Sequence, residues 1–123
     1  MKILLAINTV FELLVGLIML FAPRLLLGES TGSADSWELT LSIGRSFGFA
    51  AIAIACLSAL MMVRRLTAEV KFVGLGTLTA FHLGLTIAMT LNVLDGLSPI
   101  PVVVAHAVLF LVFGGLFLFN RGE

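Results

Sequence analysis

The stretch that decides the fold is ILLAINTVFELLVGLIMLFA, residues 3–22: twenty residues with one charge, Glu12, and one amide, Asn8. A bilayer core about 30 Å thick needs about 20 mostly apolar residues in one helix, so this stretch is long enough to cross it. Working outward, three more windows of the same kind follow, Leu41 to Val63, Phe72 to Val93 and Ile100 to Phe119. The breaks are Pro23-Arg24 with the Gly/Ser stretch Gly28 to Ser33, then Arg64-Arg65, then Asp95-Gly96 with Pro99 and Pro101. The fold class that results is all-α: four transmembrane helices in an antiparallel bundle, one domain over residues 1–123.

Composition demands the same environment. Of 123 residues, 60% are hydrophobic and 11% charged, with seven basic and seven acidic side chains. A soluble domain carries about 25% charged residues, and a globule this small cannot bury so much apolar surface behind so few charges. Lipid must cover the rest. The zero net charge leaves no basic excess for phosphates, which excludes nucleic acid as a partner.

Positive charge predicts the orientation. Lys2, Arg64, Arg65, Lys71 and Arg121 fall on one side of a four-span topology and Arg24 alone on the other, so both termini are expected in the cytoplasm. Trp37 is then expected at the outer interface, and Asp35 or Ser36 as the cap of a second helix that starts before the membrane proper. Residues 3–22 are too long for a signal-peptide core and end without a small-x-small cleavage site. Cys56 falls in an Ala-rich span and reads as a small packing residue.

Each span carries one ionisable side chain: Glu12, Arg45, His82 and His106. Such residues inside a membrane are costly, so they pair or serve a function. Asn8, Glu12 and Gly16 share a face of the first helix, and Ser42, Arg45, Ser46 and Phe49 one of the second. The third has the clearest stripe, Thr79, His82, Thr86 and Thr90. On the fourth, His106 aligns with Val103, Phe110 and Gly114 and stands alone. Counting from the charged ends at about 1.5 Å per residue places Glu12 and His82 near the midplane, with Arg45 and His106 about 6–8 Å shallower. The expected network is an Arg45–Glu12 ion pair completed by His82 and Asn8. A plainer reading stands beside it: the pair only fixes register, and the threonines bond back to their own helices.

Asn8, Glu12, Arg45, His82, Thr86 and His106 are therefore the candidate site. The sequence has no zinc spacing, no di-iron Glu-x-x-His motif, no phosphate loop and no nucleophile with its oxyanion partner, so neither a metal site nor an enzyme is expected. Axial haem ligation by His82 and His106 requires similar depth, against an expected offset of roughly 8–9 Å. The inner halves of the second and fourth helices, Ile52 to Val63 and Val108 to Phe119, read as lacking polar residues, which favours a cavity opening outward over a through-channel. Lipid and a lipid-like or quinone-like small molecule are the expected partners, with a membrane protein or a second copy as further ones.

Small residues recur at fours, Gly44 and Gly48 then Ala51, Ala55 and Ala59 in the second span, and Gly76, Ala80 and Gly84 in the third, so close packing is expected there. One constant offset matches Thr9, Phe11-Glu12-Leu13 and Met19 to Thr79, Phe81-His82-Leu83 and Met89, as a duplicated hairpin would.

Taken together, the length, the Asn8 and Phe11-Glu12 region followed by Pro23, the Gly44-Arg45 start of the second span and the Arg64-Arg65 turn resemble the small DoxX-like bacterial membrane proteins. The resemblance implies an integral four-helix fold in the bacterial inner membrane and an accessory role beside membrane redox enzymes. Three functions follow as expectations: a ligand-binding cavity, a non-catalytic subunit of a membrane redox complex, and a proton or small-solute pathway.

Overall fold

Uninterrupted apolar runs with few helix breakers leave the backbone no partner but itself in lipid, and every described run is helical. A computed structural model describes residues 1–27, 34–94 and 100–119. Its elements are α1 (Lys2–Phe21), α2 (Arg24–Leu27), α3 (Ala34–Val63), α4 (Ala68–Leu94) and α5 (Ile100–Phe119). Four of them, α1, α3, α4 and α5, are long and apolar enough to cross a membrane. The expected spans are all present, which makes this an all-α, multi-pass membrane chain. The expectations for Gly28 to Ser33, Asp95 to Pro99 and Arg121 lie outside the described residues.

Two helices start ahead of their apolar windows. α3 begins at Ala34, before the apolar window that opens at Leu41, as expected of a helix that starts ahead of the membrane; positions 35 and 36 fall inside its first turn rather than at its start. α4 begins at Ala68 rather than Phe72, because Thr67 caps it: the Val70 amide donates to Thr67 Oγ1 at 3.3 Å and Glu69 sits in the first turn. Hydropathy marks the lipid-crossing part of a helix, and both helices run past it. α1 stops where Pro23 disfavours helical geometry in the residue before it; the Ala22 amide donates to the Ile18 carbonyl at 2.8 Å, and α2 turns off at once.

The chain divides into two compact units, Met1–Val63 and Arg64–Glu123. In the first, α1 lies antiparallel against α3. Its contact is a crossing of two glycines: a Cβ on Gly16 would stand 2.6 Å from Ile52 Cγ1 and 2.8 Å from the Gly48 carbonyl oxygen, and one on Gly48 would stand 2.8 Å from the Gly16 carbonyl oxygen. In lipid no hydrophobic force draws helices together, so backbone proximity of this kind supplies dispersion and register. Leu27 of α2 folds back over Gly44, whose absent Cβ leaves it room at 3.1 Å. The expected small-residue face of the second span thus packs within the chain, with Ala51 and Ala55 buried in the same row.

In the second unit α4 lies antiparallel against α5, and aromatic rings hold the contact. Phe117 lies over Gly76, at 3.1 Å from where a Cβ would be, and tilts against Phe72 with ring centroids 4.7 Å apart. Gly114 faces Thr79 Cγ2 at 3.5 Å. Further along the same row Ala80 is exposed, and among the described residues Gly84 has nothing within 4 Å of where a Cβ would be.

The duplicated-hairpin pattern extends to burial. From residue 5 to 14 and from 75 to 84 the order of buried, half-buried and exposed positions is the same. Thr9 donates to the Leu5 carbonyl at 2.7 Å, and Thr79 to the Leu75 carbonyl at 2.7 Å.

Candidate functional site: a polar pair inside each hairpin

Polar side chains inside a membrane protein must find partners, and the partner of Asn8 is close by register. α1 and α3 cross at Gly16 and Gly48, and eight residues, or about 12 Å, further down α1 the antiparallel partner carries Ser58. The Asn8 amide nitrogen donates to Ser58 Oγ at 2.8 Å, and both residues are fully buried. Glu12 lies one turn further along the same stripe and is also fully buried. Ser58 corrects the reading of Ile52 to Val63 as lacking polar residues, and with it the argument for an outward opening. Its signal was present: Ser58 continues the row Gly44, Gly48, Ala51, Ala55 by one more step of three.

Arg45 is not the partner of Glu12. It is exposed, and among the described residues it makes no ion pair. The glycine crossing shows why. The contacts of Met19 with Gly44 and Gly48 place Arg45 level with the end of α1, about nine residues or 13 Å from the level of Glu12. It also points about 100° around α3 from Gly44. An arginine there reaches the polar boundary and needs no acid.

The second unit brings its two histidines together. His82 Nδ1 and His106 Nδ1 are 3.1 Å apart, with His82 0% and His106 3% exposed. The expected depth offset does not keep the rings apart, and His106 does not stand alone. Gly76 opposite Phe117 and Gly114 opposite Thr79 set His82 level with residue 111, about five residues from His106, and the two side chains reach across that distance to meet. The His82 ring lies between two rings of α5: His106 at 5.4 Å and 29°, and Phe113 at 5.6 Å and 6° between planes. Phe113 is fully buried and absent from the expected set. It is seven residues from His106, two helical turns, and so closer to its face than Phe110.

The threonine stripe follows the plainer reading. Thr86 donates to the His82 carbonyl, and Thr90 to the Thr86 carbonyl, each at 2.7 Å. These bonds spend the hydroxyls on their own helix. Cys56 is exposed on α3 and is not a packing residue.

The histidine pair offers two imidazole nitrogens, the donor type favoured by zinc, copper and iron. Haem does not fit between them. Two metal–imidazole bonds of about 2.0–2.1 Å on opposite faces of a porphyrin hold their nitrogens about 4 Å apart, and these stand closer. Comparison with family models, with curated proteins and with solved structures finds no match to the chain.

Proposed function

We propose that this protein is a small multi-pass protein of the bacterial inner membrane that binds a lipid-like or quinone-like molecule, with the polar head at buried side chains. The observation that carries the reading is the stack of Phe113 on His82 beside the His82–His106 contact. Flat aromatic surface next to nitrogen donors and acceptors suits an oxygen-bearing ring or head group, and a largely apolar lining with few placed polar groups is the usual makeup of small-molecule sites. Asn8, Ser58 and Glu12 supply a second buried polar set in the other hairpin. Arg45 has no part in it.

A second reading, a non-catalytic subunit docked in a membrane redox complex, draws on the exposed small residues Ala80 and Gly84, which allow close approach of another helix. The resemblance to DoxX-like proteins points the same way.

The test is extraction in native lipid followed by mass spectrometry of bound small molecules and chains. A stoichiometric quinone or lipid, lost in His82→Leu and Phe113→Ala, supports the ligand reading. A stoichiometric foreign protein chain with no small molecule supports the subunit reading and removes the first.

A further inference from the structure

Two histidines whose Nδ1 atoms are 3.1 Å apart make either a hydrogen bond or a shared metal site, and ring geometry separates the two. A metal sits off the line between its ligands, so both nitrogens aim at a common point to one side and the rings fold toward each other. In a hydrogen bond the nitrogens aim at one another. The ring centroids here are 5.4 Å apart, and the 2.3 Å by which that exceeds the nitrogen separation is about the width of one imidazole ring, as the in-line arrangement requires.

An in-line Nδ1 to Nδ1 bond constrains the protons. One Nδ1 donates and the other accepts, so at least one ring is neutral; in the neutral pair the two rings are opposite tautomers. Nε2 on the donating ring is then an acceptor, and Nε2 on the accepting ring carries a proton. We infer that His82 and His106 act as one proton-sharing unit and serve as proton donor and acceptor to an oxygen of a bound head group, a quinone carbonyl or quinol hydroxyl. The part concerning the head group rests on the ligand reading above.

The transfer balances atom by atom. A proton bonds to the bare Nε2 of the first ring, that ring's Nδ1 proton crosses to the Nδ1 of the second, and the second ring releases its Nε2 proton to the oxygen. Each N–H bond broken is matched by one formed, no electrons move, and the pair ends with its tautomers exchanged. The hydrogen bond then runs the other way, which sets up return transfer. Phe113, stacked nearly parallel to His82, hinders the turnover of that ring that one-way conduction needs. The unit therefore stores and returns a single proton.

The experiment is NMR of the full chain in lipid nanodiscs with nitrogen-labelled histidine, the two rings assigned with His82→Asn and His106→Asn. The result expected is a scalar coupling between the two Nδ1 nuclei across the hydrogen bond, with opposite tautomers, and a shift of one Nε2 on adding a short-tailed benzoquinol. Two uncoupled rings of the same tautomer overturn the proton-sharing unit, whatever the quinol does. Coupled rings that ignore the quinol overturn the head-group assignment and tell against the ligand reading while the pair stands. Displacement of the coupling by added cadmium bound at both Nδ1 atoms overturns the inference in favour of a metal site.

Discussion

The two hairpins present the same buried stripe to different partners. In the first, α1 meets a face of glycine, alanine and serine, and the helices touch backbone to backbone at Gly16 and Gly48. In the second, α4 meets phenylalanine and histidine, and rings fill the space that a close approach would otherwise close. The polar groups follow suit. A small face admits a neutral amide–hydroxyl bond, Asn8 to Ser58, whereas an aromatic face admits imidazoles that hydrogen-bond and stack at once. One helix pattern thus yields two chemistries according to the size of the residues opposite.

The largest effect expected from breaking this contrast is Phe113→Ala. It removes a fully buried ring from the aromatic hairpin and costs about 3 kcal/mol, the low end for such a change because lipid shelters the separated helices too. Reversible unfolding in mixed micelles measures it, and His82 NMR line widths should broaden as its stacking partner goes. Gly48→Ala strikes the backbone crossing instead. The new methyl meets a carbonyl oxygen that cannot rotate away, so a loss of about 1–3 kcal/mol is expected in the same assay. Gly76→Ala, which meets only a phenylalanine ring able to swing, should cost less than Gly48→Ala; equal costs would erase the distinction between the hairpins.

Smaller effects sharpen it further. Asn8→Ala breaks the bond to Ser58 and is expected to cost about 0.6 kcal/mol and at most about 1.7, the range for hydrogen bonds between membrane helices. In a double-mutant cycle, Arg45→Met and Glu12→Gln should add to within about 0.5 kcal/mol, because the residues are about 13 Å apart along the hairpin. Coupling well above that value would restore the ion pair. Gly84→Ala, with nothing within 4 Å, should leave stability unchanged and report on a docked partner alone.

Spans, their number and the equivalence of Glu12 and His82 were legible because hydropathy and period are written along one helix at a time. Pairing across helices was not, because it depends on register, and register comes from where glycine lets a neighbour in. Depth counted from the charged ends placed Arg45 beside Glu12 and parted His82 from His106; the Gly16–Gly48 crossing reverses the first, and the reach of the two imidazole side chains the second. Ser58 and Phe113 were within reach of the same helical-face counting that found their neighbours. A serine among alanines and a phenylalanine among leucines do not stand out in an apolar span.

The boundary between the units at Val63 and Arg64 has a consequence for biogenesis. Each hairpin contains both halves of its own principal contact, so the first can close at the membrane insertion site while the second is still being synthesised. The glycine crossing then forms early, between neighbours in sequence, and the aromatic hairpin is delivered afterwards as a separate insertion event. An insertion pause introduced between the halves should leave the first hairpin able to assemble by itself.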